Sequence, residues 1–138
     1  MTETTFTLER VARIEASLEL DPEQRADILA ANELDEDGWE RVEATQDAAI
    51  RAALDRDDPS LLARYDAAYV ARIEDERGTI TVEEYASILA ASRRGRAPER
   101  LTELGIPEAA ELRLMRVFEA RLVADEATAR SVRDALDD

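Results

Sequence analysis

The 138 residues contain no histidine, no cysteine and no lysine, and all 18 positive charges are arginine, set against 33 Asp and Glu. Side-chain chemistry is thereby reduced to carboxylates, guanidiniums, hydroxyls and six aromatic rings. Most nucleophilic, general-base and transition-metal chemistry near neutral pH uses the three missing types. Carboxylates are the one remaining group dense enough to form a site. Glu33, Asp35, Glu36, Asp37, Glu40 and Glu43 crowd into a single turn and the helix expected after it. Glu36, Glu40 and Glu43 recur at intervals of three and four, so they share a helix face, as do Glu108 and Glu111.

Two chemistries fit that spacing. Glu-x-x-Glu pairs on helices can hold magnesium, as in all-α nucleotide pyrophosphohydrolases, which resemble this chain in that spacing alone. A carboxylate-based, magnesium-dependent phosphohydrolase is therefore one alternative. It lacks convergent cations for phosphate, because only Arg41 lies beside Glu36, Glu40 and Glu43. A di-iron bundle would need histidines that are absent. The favoured reading makes these six acids a partner-binding surface for a basic protein, with no catalytic residue, cofactor or metal assigned. A second alternative is an acidic mimic of nucleic acid that occupies a DNA-binding protein.

The segment 73–84 imitates an EF-hand loop. Asp75, Gly78, Ile80 and Glu84 fall at ligand, turn, apolar and closing positions, but Ile73 occupies the first ligand position and Arg77 another. The loop is degenerate, and calcium is not expected there. Gly78 reads instead as a helix stop, and Thr81 with Glu84 as a capping box. Glu33, Asp35, Asp37 and Gly38 start a second such imitation, which fails at Ala44. Arg93, Arg94, Arg96 and Arg100 form the only basic cluster. It suits the carbonyls at a helix C-terminus, or an incoming phosphate or acidic peptide.

The elements that carry these residues are all helical. Strong helix formers dominate, with four glycines and four prolines as punctuation. Eight helices are expected. They begin near Leu8, at Asp21-Pro22, at Asp35, at Asp58-Pro59, at Thr81, at Pro98 and at Ile106-Pro107, with a last one through Ala129, Val132 and Leu136. Buried positions are expected at Leu8, Val11, Ile28, Leu29, Trp39, Val42, Leu62, Tyr65 and Tyr69. In the second half they are Tyr85, Ile88, Leu101, Met115, Phe118, Leu122, Val132 and Leu136.

The chain also reads as written twice. Thr7-Leu8-Glu9 aligns with Thr81-Val82-Glu83, which places Val11 on Tyr85, Ala12 on Ala86 and Ile14 on Ile88. Small shifts then bring Ile28 onto Leu101 and Leu34 onto Ile106. The expected architecture is an all-α tandem duplication of a four-helix unit, with halves near 7–77 and 81–137 packed as one helical domain over 1–138.

Glu83-Glu84-Tyr85-Ala86, the glycine turns, a long helix ending Arg121-Leu122-x-x-Asp125 and the aromatic-closed last helix of the unit resemble small all-helical repeat proteins encoded beside bacterial secretion and toxin systems. The resemblance implies an accessory, adaptor, chaperone or immunity-type role. It brings no catalytic residues with it.

A formal charge of -15 disfavours direct binding to nucleic-acid phosphates or an anionic membrane, and favours a basic partner. The charge is lopsided: residues 1–78 hold 21 acids and 9 arginines, whereas residues 79–138 hold 12 and 9. The polar start of the chain has no basic-then-apolar pattern of a signal peptide, so a cytoplasmic protein is expected.

Overall fold

The computed structural model of the chain describes residues 6–124, 130, 133 and 134. Among these residues all regular structure is helical: α1 (Leu8–Leu20), α2 (Arg25–Ala31), α3 (Glu36–Asp55), α4 (Ser60–Arg77), α5 (Val82–Arg93), α6 (Ala97–Glu103) and α7 (Glu111–Ala124). Single 3-10 turns, Pro22–Gln24 and Glu108–Ala110, lead into α2 and α7. The described residues thus form seven α-helices and not eight. The expected last helix, with Ala129, Val132 and Leu136, lies outside them. No helix among the described residues is long and apolar enough to cross a membrane.

Local chemistry sets most helix starts. Thr7 Oγ1 accepts from Arg10 N at 3.1 Å, and Asp35 Oδ1 accepts from Gly38 N at 2.7 Å. Asp58 Oδ1 takes the Ser60 N–H at 3.0 Å ahead of α4. Thr81 and Glu84 form the full reciprocal capping box, at 3.1 and 2.9 Å. Asp21 departs from its expected role. Its side chain caps nothing, because Pro22 opens a 3-10 turn and α2 proper begins only at Arg25.

Four helices end in one common turn. After α2, α3, α5 and α6 the chain takes a left-handed residue, respectively Glu33, Asp57, Gly95 and Gly105. The next N–H then reaches back to the carbonyl five residues earlier: Leu34 to Leu29, Asp58 to Ala53, Arg96 to Ala91 and Ile106 to Leu101, at 2.8–2.9 Å. Leu29 and Leu101 thus accept the same closing bond in the turns after α2 and α6.

The chain divides into two compact units, Met1–Arg72 and Ile73–Asp138, with the division inside α4. In the first unit α1 buries Leu8, Val11, Ala12, Ile14, Ala16 and Leu18, and further buried residues come from Leu29, Trp39, Ile50, Tyr65, Tyr69 and Val70. Polar contacts tie α1 to α4 at nearly constant separation in sequence. Arg64 grips Glu9 through two bonds at 2.9 and 3.0 Å, and Arg72 Nε donates to Ser17 Oγ at 2.9 Å. The Tyr65 and Tyr69 hydroxyls donate to Glu15 and Glu19. Pairings that advance together along both helices mean that α1 and α4 run parallel. Asp66, on the same stripe of α4, is 1% exposed, and no buried side-chain polar atom among the described residues lacks a hydrogen-bond partner.

In the second unit the buried side chains include Ile73, Ile80, Tyr85, Ile88, Leu101, Ile106, Leu114 and Phe118. The Tyr85 and Phe118 rings stack with centroids 4.3 Å apart and planes 15° from parallel. Arg121 lies over Phe118 at 4.8 Å and reaches Glu74 at 3.3 Å.

The expected core needs five corrections. Ile28, Val42, Leu62, Met115 and Leu122 are half-buried. Next to Ile28 and Met115 the adjacent Leu29 and Leu114 take the core position instead, whereas the residues within two positions of Leu122 are all exposed. On α7 the buried stripe is Leu114, Val117 and Phe118, and Leu112 is 60% exposed.

Candidate functional site

The six acids singled out by sequence do not act as one cluster. Asp35 is spent on capping α3. Glu36 accepts from Arg25 Nε at 2.7 Å and Nη2 at 2.9 Å, a two-pronged pair. The Arg25 hydrogen bonds hold the Glu36 carboxyl below the usual range, and Glu36 in turn raises Arg25. Glu33 sits in the left-handed turn after α2 at φ +60°. With Ala30, Leu34, Asp35, Gly38 and Arg41 it borders an open depression of about 470 Å³.

Asp37, Glu40 and Glu43 behave differently. All three are exposed, and with Arg41, Ala44 and Asp47 they border a second open depression, of about 550 Å³, along α3. Glu43 is the informative member. Although the residue as a whole reaches solvent, desolvation pushes its carboxyl up, reinforced by Glu15, Asp47 and Glu40 and opposed by Arg25. Glu15 belongs to α1, where it takes the Tyr65 hydroxyl. Sequence spacing finds Glu40 and Glu43, but the approach of Glu15 depends on tertiary packing, and Asp47 lies one turn beyond Glu43 on α3.

The remaining sequence candidates are engaged or scattered. In the segment 73–84, Ile73 is fully buried, and Glu84 is held by Arg77 at 2.5 Å. The Arg77 hydrogen bond lowers the Glu84 carboxyl, which also serves the capping box. Glu74 accepts the Ile80 N–H at 2.9 Å. Glu111 accepts from Ser92 at 3.2 Å. Among the described residues no three acidic side chains converge in a metal-holding arrangement. Arg100 turns back onto Ser87 at 2.9 Å and Glu103 at 3.3 Å, which separates it from Arg93, Arg94 and Arg96.

No protein-family model, no curated protein and no solved structure matches this chain.

Proposed function

We propose that this chain is a non-catalytic protein-binding accessory protein, of adaptor, chaperone or immunity type, acting in the cytoplasm of a bacterium. Its acidic surface on α3 engages a basic partner. The observation that carries this reading is the open depression along α3, where Asp37, Glu40, Glu43 and Asp47 face a single arginine, Arg41, so that the face is short of positive charge. An arriving guanidinium or ammonium would reverse that deficit, which is how charge complementarity steers association. Because Glu33, Asp35 and Glu36 are already engaged within the chain, Asp37, Glu40 and Glu43 are the members left to meet the partner.

The two units would descend from one ancestral four-helix unit. Thr7 and Thr81 cap α1 and α5 through the same bond, and Val11, Ala12 and Ile14 are buried like their counterparts Tyr85, Ala86 and Ile88. After duplication the first copy became strongly acidic, which assigns the binding face to that copy.

The test is affinity purification from the native host with the parent chain, with Asp37→Asn/Glu40→Gln/Glu43→Gln, and with Glu108→Gln/Glu111→Gln. Basic proteins retained by the parent and by the second variant but lost from the first support the reading, as does a flatter salt dependence of the first. Identical retention by all three overturns it. Magnesium-specific thermal stabilisation would point to the phosphohydrolase instead, and displacement of the partner by duplex DNA to the nucleic-acid mimic.

A further inference from the structure

In a chain with nearly two acids per arginine, guanidiniums are expected to find carboxylates, and several do. Arg25, Arg51, Arg64, Arg77, Arg100 and Arg121 each form an ion pair. Arg93, Arg94 and Arg96 do not. All three are exposed, and among the described residues none of their guanidiniums has a hydrogen-bond or ion-pair partner. They are held close together by the tight turn that joins α5 to α6, with Gly95 left-handed at φ +70°. The turn's own N–H groups are consumed, since Arg94, Gly95 and Arg96 donate to Ala91 and Ser92 carbonyls. Only the side chains remain to recognise a ligand.

We propose that the Arg93–Arg94–Arg96 turn is a second binding surface, which takes a short acidic segment of a protein partner. Guanidinium presents a rigid fork of donors that matches a carboxylate two bonds at a time, so three forks on one turn fit several carboxylates in succession. The choice of a short segment follows from the charge around it. At physiological salt, exposed charges act over about 8 Å, so the turn can attract an anion locally while the chain as a whole, at -15, repels an extended polyanion. Duplex nucleic acid, with a charge about every 1.7 Å, is penalised by that repulsion over its whole length. A chain with an acidic face on α3 and an arginine turn after α5 carries two surfaces of opposite sign. That is the equipment of a bridging protein. The inference stands independently of the acidic face, because it uses other residues in the other unit.

Binding of a fluorescent peptide of ten alternating Glu and Gly residues to the full chain, read by anisotropy, tests the proposal. The controls are the Gln–Gly counterpart and a duplex oligonucleotide. The glutamate peptide is expected to bind, to weaken as salt rises from about 25 to 150 mM, and to lose about tenfold in affinity in Arg93→Gln/Arg94→Gln/Arg96→Gln. Arg51→Gln/Arg56→Gln, which removes two other exposed arginines, should bind like the parent. Circular dichroism of the triple variant reports whether the helices persist, and Arg→Lys changes at the same three sites supply a variant that keeps the charge. Weaker binding in the lysine variant supports recognition by the fork. Failure of the glutamate peptide to bind the parent, equal binding by the triple glutamine variant, or tighter binding of the oligonucleotide would each overturn the proposal.

Discussion

Glu33 at φ +60° and Gly105 at φ +72° occupy the same position, the left-handed residue just past the cap of a short helix. The residue after each closes the turn with a 2.9 Å bond, to Leu29 and to Leu101. Glycine takes this conformation freely. A residue with Cβ is crowded by its own carbonyl there, at a cost of roughly 1–2 kcal/mol. Asp57, also at φ +60°, is the second acid in such a turn.

Replacing either acid by glycine should therefore stabilise the chain. Part of the gain is offset by the greater freedom of glycine when unfolded, which leaves about 0.5–1 kcal/mol. Gly105→Ala should destabilise it by a comparable or larger amount. Urea titrations of the three variants check this; lower midpoints for Glu33→Gly and Asp57→Gly would show that the turn gains nothing from relieving Cβ.

The stacked pair in the second unit should be the costliest side chain to lose. Phe118 is 2% exposed and lies face to face with Tyr85. Phe118→Ala should cost about 3–5 kcal/mol, whereas Leu112→Ala on the same helix, at 60% exposure, should cost well under 1 kcal/mol. Thermal melts of the two proteins would show comparable shifts only if the register of α7 were different.

Two glutamates should respond to pH with opposite sign. The carboxyl of Glu84, lowered chiefly by its hydrogen bond to Arg77, stabilises the fold above the unfolded carboxylate value and loses that contribution as pH falls through its folded value. The carboxyl of Glu43 is raised, so its contribution is complete below the unfolded value and is lost as pH rises through the folded one. Glu84→Gln should consequently destabilise at pH 7, and Glu43→Gln should stabilise there. Both differences should shrink in acid near the unfolded carboxylate value of about 4.3 and below it. Melting temperatures across that range, compared with the parent, measure the two signs directly.

The tyrosine hydroxyls on α4 should contribute measurably beyond the burial of their rings. Tyr65 and Tyr69 donate to Glu15 and Glu19 in a partly buried setting. Removing a donor there leaves carboxylate with an incompletely met demand, at about 1–3 kcal/mol. Tyr65→Phe and Tyr69→Phe should each fall in that range by denaturant unfolding. A Tyr65→Phe/Glu15→Gln double cycle should return a coupling energy clearly different from zero.

What sequence could and could not convey follows from how local each cause is. Asp35 and the Thr81–Glu84 box act within four residues, and both do what their spacing suggests. Gly95 and Gly105 announce their turns; Glu33 and Asp57 make the same turn without the residue that signals it. On α7, apolar residues at 112, 114, 115, 117, 118 and 122 offer two overlapping stripes, and helical period alone does not choose between them. Asp66 shares the helical stripe of Leu62, Tyr65, Tyr69, Val70 and Ile73, but a carboxylate there carries no sequence signal of burial. As for the candidate site, density and periodicity pointed to α3. The Arg25–Glu36 pair and the approach of Glu15 to Glu43 depend on tertiary packing, which no local pattern encodes.

The parallel course of α1 and α4 has an electrical consequence. Peptide dipoles add along each helix, leaving roughly half a positive charge at its N-terminus and half a negative charge at its C-terminus. The Gln46 amide donates to the Phe6 carbonyl, while Glu43, nearer the start of α3, lies close enough to Glu15 to feel its charge, so α3 runs against α1 and offsets only one of the two. Among the three long helices α1, α3 and α4, the macrodipole of one is left uncompensated, its positive pole at the end where Thr7 and Ser60 start α1 and α4. Beyond its excess of acids, the first unit therefore carries a built-in direction: an approaching charged molecule feels a torque as well as a pull.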